Sequence, residues 1–420
     1  MGIMTPYPLL TRVFARIGLL SFGGPAAQIA VMHRELVEQR PWLTEAQFLR
    51  ALSFCMLLPG PEAMQLATYA GWRLRGITGG LIAGALFVLP GAAVIAVLAL
   101  LYAQYGARPE TEALMLGVKA SVIVIVVQAL HRLSSKALKG SPDFMVAVAA
   151  FLALFAFSLP FPLVIALAAA WGALRGGGAA DGPSDAPAEP PRNSTAPATI
   201  LLWLVLWLLP LPVLYLSGQT LLFDLAAFFA KLAVVTFGGA YAVLAYMAQD
   251  VVEMRGWLTA PQMVDALGLA ETTPGPLILV TQFVGQLAGH SAGGVRMALA
   301  AGALTLWMTF VPCFLWIFAF APHVETLRAR PRLQAALSGI TAAVVGVIAN
   351  LSLWFALHTL FAQTVTIDKG PLSLSLPVLS TLRPEALPLI ALAALMFARK
   401  APVPLVLAVC ALSGWGLAQV

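Results

Sequence analysis

Long apolar stretches separated by short polar ones dominate this chain. Gly79–Tyr102, Ile200–Leu216 and Met297–Ala321 carry no charged residue. Each approaches or exceeds the roughly 20 residues a helix needs to cross a bilayer. A transmembrane barrel would instead alternate polar and apolar residues in segments of about 10, and that alternation does not occur. The pattern predicts an all-α polytopic membrane protein. Two interruptions are conspicuous within it: "LLPGPEAM" (Leu57–Met64) and "TTPGPLIL" (Thr272–Leu279). Proline removes a backbone donor and clashes with the preceding turn, so each Pro-Gly-Pro should break a helix inside an apolar region.

The two interruptions belong to an internal repeat. "FARIGLLSFGG" from Phe14 matches "FAKLAVVTFGG" from Phe229, at an offset of 215 residues. Without a gap the same offset pairs Arg40, Trp42, Leu43 and Thr44 with Arg255, Trp257, Leu258 and Thr259. It pairs Gln47 with Gln262, and Pro59-Gly60-Pro61 with Pro274-Gly275-Pro276. Beyond these the similarity weakens. Ala83–Gly91 resembles Ala301–Cys313, Gly117 and Gln128 match Gly339 and Asn350, and each half ends in two shorter apolar segments. Because the N-terminal stretch is part of the repeat, it reads as mature fold and not as a signal peptide.

The organisation expected is an N-terminal repeat (1–174), a flexible linker (175–198), a linking helix (199–217) and a C-terminal repeat (218–420). The linker "RGGGAADGPSDAPAEPPRNSTAPA" is rich in Gly, Pro and Ala, a composition that stays flexible. Charge then orients the halves. In the first half, Arg132, Lys136 and Lys139 follow the fourth segment. In the second, Arg328, Arg330 and Arg332 precede the equivalent segment, and the later loop has only Asp368 and Lys369. Positive residues mark the cytoplasmic side, so equivalent loops face opposite sides and the repeats are inverted, as in many secondary transporters. Inversion around one linking helix requires an even number of crossings per half. Six per half plus one gives about 13 segments, with both Pro-Gly-Pro segments crossing. The N-terminus, linker and Arg399-Lys400 are then cytoplasmic, and the 362–384 loop is outside.

Composition narrows the chemistry. The chain is 60% hydrophobic and 10% charged, with mean hydropathy +0.90, far from the roughly 25% charged of soluble domains. Net charge is +6, but the basic residues sit mostly in short loops and imply orientation, not nucleic-acid binding. Cys55, Cys313 and Cys410 are widely separated, as are the five histidines, so neither a disulfide framework nor a metal site is expected, and no cofactor. HExxH and Walker A patterns are absent from the sequence, which leaves a membrane-embedded enzyme without a metalloprotease or nucleotide-binding cluster.

Candidate binding chemistry gathers at the interruptions. Thr44 with Gln47, and Thr259 with Gln262, fit capping boxes; Trp42 and Trp257 suit a membrane interface. Phe22-Gly23-Gly24 and Phe237-Gly238-Gly239 lie inside the first helix of each repeat. They allow either close helix packing or unwound backbone at a ligand. Paired interruptions at matched positions point to a transporter site. Arg16 and Lys231 are repeat equivalents about two turns before these glycines, and Lys119 is a third cation in an apolar run. An intramembrane cation costs roughly 2.5–3.5 kcal/mol and is a functional candidate by default; Asp224 is the nearest charge to Lys231 in sequence. Helix starts after Pro61 and Pro276, with Gln65, Thr272, Thr273, Thr281 and Gln282, supply donors of the kind that hold oxyanions. Glu62 and Glu271 flank the two motifs as candidate proton carriers.

Taken together, Phe22-Gly23-Gly24, Arg40-Pro41-Trp42-Leu43-Thr44 and Pro59-Gly60-Pro61, with their counterparts Phe237-Gly238-Gly239, Gly256-Trp257-Leu258-Thr259 and Pro274-Gly275-Pro276, resemble the chromate ion transporter family in its long, two-domain form. The resemblance covers essentially the whole chain. It implies a bacterial-type inner-membrane protein that exports chromate and confers chromate resistance, with sulfate as the natural look-alike. Its partners would be the lipid bilayer and a small oxyanion, and a homodimer is left open. Energetics permit export: one charge through 100 mV is worth about 2.3 kcal/mol, so a dianion leaving a negative interior gains about 4.6. An exporter of another small anion or solute is the alternative reading.

Overall fold

The computed structural model describes residues 5–175, 197–237, 239–323, 331–370 and 372–419. The first half runs α1 (Tyr7–Leu20), α2 (Gly24–His33), a π-turn over Arg34–Glu38, α3 (Glu45–Cys55), α4 (Glu62–Tyr105), α5 (Pro109–Ala137), α6 (Ser141–Phe155) and α7 (Phe161–Arg175). The linking segment is α8 (Pro197–Leu208) and α9 (Pro210–Leu216). The second half runs α10 (Thr220–Val235), α11 (Ala240–Met247), a π-turn over Ala248–Met254, α12 (Ala260–Thr272) and α13 (Val280–Phe320). It closes with α14 (Pro331–Leu360), α15 (Ala386–Ala398) and α16 (Val403–Leu417). Among the described residues five stretches are long and apolar enough to cross a membrane: Glu62–Tyr105, Pro109–Ala137, Pro197–Leu216, Leu277–Phe320 and Pro331–Leu360. The chain is an all-α polytopic membrane protein. Residues 176–196 of the expected linker, and Gly238, lie outside the described residues.

The helix α4 is not one rod. Its backbone leaves helical geometry at Arg75 and Gly76, where Gly76 has φ 64° and ψ −155°. α13 does the same at Gly293 and Gly294, with φ 68° and ψ −158° at Gly294. A side chain at that left-handed φ is strained, so glycine sets the turn and each helix doubles back into two arms. Small residues then let the arms touch. A Cβ on Gly71 would strike Gly79 O and Ala83 Cβ, and one on Gly289 would strike Met297 O and Ala301 Cβ. The two sets differ by a constant 218 residues. Gly80 and Gly84 on the second arm of α4 lie against Phe318 and Phe314 on the second arm of α13. These equivalent arms therefore run antiparallel.

Residues group into two compact units, and each draws on both halves. The first unit holds Met1–Leu100, Asp181–Ala240 and Thr273–Ala329; the second holds Leu101–Ala180, Tyr241–Thr272 and Arg330–Val420. Within the second unit α5 of the first half packs on α16 of the second, and α14 of the second packs on α7 of the first. Bare glycines make both contacts. A Cβ on Gly117 would meet Cys410 O and one on Gly414 would meet Ala113 O; likewise Gly339 meets Ala168 O and Gly172 meets Ala335 O. The two pairs are related by offsets of 222 and 242 residues. The repeat thus extends to the last helix of each half, where sequence similarity alone no longer shows it.

The expected 362–384 loop carries a two-stranded antiparallel hairpin, β1 (Thr364–Lys369) and β2 (Leu372–Pro377). Its hydroxyls Thr364, Thr366, Ser373 and Ser375 help line a cavity of about 400 Å³ in the second unit. Val365, Ile367 and Leu376, at the alternate positions, are exposed.

Candidate functional site

Besides the hairpin turns at Gly76 and Gly294, four backbone breaks among the described residues of the first unit are joined in pairs across the halves. α1 ends at Leu20, and the chain is unwound through Ser21 and Phe22 to Gly23, whose φ is 82°. α10 ends at Val235, with Thr236 non-helical and Gly239 at φ 96°. Gly60 has φ 113° and Gly275 φ 86°. The N–H of Gly275 donates to Ser21 O at 2.8 Å, and the N–H of Gly60 donates to Thr236 O at 2.9 Å. The offset of 215 turns one bond into the other. The hydroxyls of Ser21 and Thr236 repeat as well, donating to Ile17 O (2.6 Å) and Leu232 O (2.5 Å). Unpaired backbone in a bilayer costs several kcal/mol per group. Each half therefore satisfies the break that the other half creates.

Side-chain amides complete the pairing unequally. Gln65 Nε2 donates to Pro59 O at 2.6 Å, and Gln28 Nε2 donates to Gly275 O at 2.8 Å. Gln282 Nε2 donates to Ala92 O at 3.0 Å. The hydroxyl of Thr272 bonds its own helix at Leu269 O, and Thr281 is within 3.3 Å of Thr309 Oγ1. One amide N–H of Gln65, one of Gln282 and the hydroxyl of Thr272 are thus committed to protein carbonyls. The acceptor ends of the same amides are open: Gln65 Oε1 and Gln282 Oε1 are buried without a protein partner. α4 starts at Glu62, directly after Pro61, and its first-turn N–H groups have no intrahelical partner. Pro274 packs its carbonyl where a Cβ on Gly91 would stand, and no atom lies within 4 Å of a Cβ built on Gly239. Phe22 and Phe237 are half-buried, and Thr273 is buried beside Pro274 and Pro276.

The cations are placed differently from one another. Arg16 is 54% exposed and lies 3.4 Å from Glu35, whose side chain is fully buried; Arg40 holds the other Glu35 oxygen at 2.5 Å. The equivalent of that second contact is Arg255 on Asp250 at 2.7 Å. Lys231 is exposed on α10, between buried neighbours. Both capping boxes form: Gln47 N to Thr44 Oγ1 with Thr44 N to Gln47 Oε1, and the same at Thr259 and Gln262. Near the first of them His33 joins Glu45 (2.6 Å) and Glu38 (3.1 Å). The hydrogen bond to Glu45, above all, raises the His33 pKa above its ordinary value.

In the second unit Lys119 is nearly buried and forms an ion pair with Asp265, Nζ to Oδ1 3.0 Å, while Tyr102 Oη donates to Asp265 Oδ2 at 2.7 Å. Glu271 is also buried there; its Oε1 accepts from Tyr241 Oη at 2.9 Å, and its Oε2 has no protein partner. Sequence reasoning missed Asp265, Gln28, Glu35, Tyr102 and Tyr241. A signal existed for two of them. Asp265 is the sole acid in "QMVDALGLA", and Gln28 is the sole amide in "GPAAQIAVMH". Among the described residues no group of three or more His, Cys, Asp or Glu could hold a metal ion.

Comparison with known proteins follows this two-part geometry. A family model described as "Chromate transporter" matches residues 9–173 and again residues 223–415. The "Chromate transport protein" of Pseudomonas aeruginosa is 31% identical over 346 residues, which is 81% of this chain and 79% of that protein. Its namesake in Cupriavidus metallidurans is 29% identical over 343 residues, 81% of this chain and 80% of that protein. "Uncharacterized transporter YwrB" of Bacillus subtilis (strain 168) is 31% identical over 145 residues, 32% of this chain but 68% of its own length. No solved structure matches the chain.

Proposed function

The chain belongs to the chromate transporter family, and on that premise we propose that it exports chromate from the cytoplasm by alternating access at the cross-paired breaks. The observation that carries the reading is the reciprocal bonding of Ser21 with Gly275 and of Thr236 with Gly60. Interrupted helices at matched positions of two repeats are the usual address of a transporter site, and here each interruption depends on the other half. The antiparallel course of equivalent arms supports inverted repeats, with about 13 segments in a bacterial inner membrane. The anion is a dianion resembling sulfate, and its exit is driven by membrane potential. The protein acts as a transporter and not as an enzyme.

The ligand contacts at the breaks would come from backbone N–H groups at Gly23, Gly24 and the helix start after Pro61. Within the second unit Lys119 is a separate anion-binding candidate, the least exposed of Arg16, Lys119 and Lys231. The decisive measurement is uptake of labelled chromate into inverted membrane vesicles, with and without an interior-positive potential, in competition with sulfate. Potential-dependent uptake reduced by excess sulfate is expected. Absence of any chromate-dependent signal would overturn the assignment in favour of another small anion.

A further inference from the structure

The ion pair in the second unit has no twin. The offset of 215 carries Asp265 onto Arg50, and the offset of 222 that superposes Gly117 on Gly339 carries Lys119 onto Thr341. By contrast, the pair of Arg40 with Glu35 recurs in the second half as Arg255 with Asp250. A buried pair is weak evidence for stability, because taking two charges out of water offsets most of their attraction. Lys119 and Asp265 have side-chain exposures of 10% and 7%. Their contact is enforced by backbone packing: Gly268, one turn beyond Asp265, brings α12 so close that a Cβ there would stand 2.6 Å from Val118 Cγ1.

We propose that Asp265 is a proton-binding site coupled to anion binding at Lys119. With Asp265 ionised, the carboxylate occupies the ammonium and excludes a second anion. With a proton on Asp265, the ammonium is released to hold the oxyanion, and Tyr102 keeps its hydrogen bond to the carboxyl. Proton and anion then bind together, and the effect of each on the other is reciprocal. This rests on the proposed export of an oxyanion and adds the coupled ion to it.

Few other groups bear on Asp265. From α5 they are Lys119 and Glu112, and from the end of α4 it is Tyr102. The packed helices α14 and α16 carry only Arg332 and His358, at the two ends of α14, and Cys410. The adjoining π-turn has Asp250, held by Arg255, and the exposed Glu253. On α12 itself Glu271 is engaged by Tyr241.

The test uses full-length protein in proteoliposomes under a fixed potential, with chromate flux and an entrapped pH dye read together. Wild-type flux should fall as pH rises on the loading side, by up to about tenfold per unit, and each chromate should bring a proton with it. Asp265→Asn should abolish both the proton signal and the pH dependence, so that at alkaline pH it outpaces the wild type. Lys119→Met should lose at least tenfold in flux. Proton movement and pH dependence persisting in Asp265→Asn would overturn the proposal. So would wild-type flux in the doubly apolar Lys119→Met/Asp265→Leu, the variant made to fold should the single ones fail. If wild-type protein carries no chromate, the transport reading fails, and infrared spectroscopy decides the site alone. A protonated-carboxyl band that titrates in the wild type and is missing in Asp265→Asn supports it; no difference overturns it.

Discussion

The two compact units solve one assembly problem with different materials. In the first, helices of the two halves are joined through interrupted backbone, where carbonyls at Ser21 and Thr236 take N–H groups from Gly275 and Gly60. In the second, the helices run unbroken and meet through glycines, Gly117 and Gly414 on one side and Gly339 and Gly172 on the other. Both exchange partners between halves. Only the first leaves left-handed glycines, half-buried aromatic residues and unmatched amide oxygens at the exchange. The difference teaches that packing two repeats together does not itself require a break. The interruptions are an added cost, and their recurrence in both halves marks where polar backbone is useful.

That contrast can be broken most severely in the second unit. Gly117→Leu and Gly172→Leu drive a side chain into a backbone carbonyl that cannot retreat, and overpacking of this kind costs about 1–3 kcal/mol or more. Thermal unfolding in detergent should show a large loss of stability for both. Gly60→Ala in the first unit should instead leave a folded protein. It pays about 1–2 kcal/mol for the left-handed backbone, with Gln65 Nε2 and Cys313 Sγ at 3.0 and 3.1 Å as its nearest neighbours. Its chromate flux should fall further than its stability. Equal damage to folding at all three positions would erase the distinction.

A smaller effect separates shared architecture from half-specific detail. Thr44→Ala and Thr259→Ala each remove a capping box, worth about 1 kcal/mol, and their losses should match and add in the double variant. The smallest effect is titration at His33, whose equivalent is Ala248 in the second half. Its pKa is raised in the folded protein by the hydrogen bond to Glu45. Its stabilising contribution is therefore complete below about 6.5 and declines as pH climbs through the folded value. His33→Gln should flatten that part of the pH–stability curve, read by thermal unfolding; a curve unchanged from wild type would assign the slope elsewhere.

Much of this was legible in the sequence, and the limits have physical causes. The breaks were readable because proline and paired glycines are backbone instructions, and the ungapped offset of 215 announced their pairing. The caps at Thr44 and Thr259 were readable for the same reason. The helical hairpins were not, since Gly76 is a single glycine among many and the Gly293-Gly294 pair has no glycine pair as its counterpart at Arg75-Gly76. The final helices of the repeat were hidden because any apolar residue satisfies lipid, and only the glycines that touch a carbonyl are constrained. Lys119 could be singled out as a buried cation, but its partner Asp265 lies far along the chain and has no twin in the repeat. At Gln65 and Gln282 the pattern could not show that one amide N–H is claimed by a carbonyl of the protein, Pro59 O and Ala92 O.

The cross-pairing also sets a schedule for biogenesis. Ser21 leaves the ribosome roughly 250 residues before Gly275, which at about 5–20 residues per second means a delay of about 13–50 seconds. Throughout it, the unwound end of α1 has no N–H from the second half to receive. A first half in that condition cannot settle in lipid as a finished object and must keep its open carbonyls near water or the insertion machinery. The protein becomes a membrane structure in one late step, when the second Pro-Gly-Pro arrives.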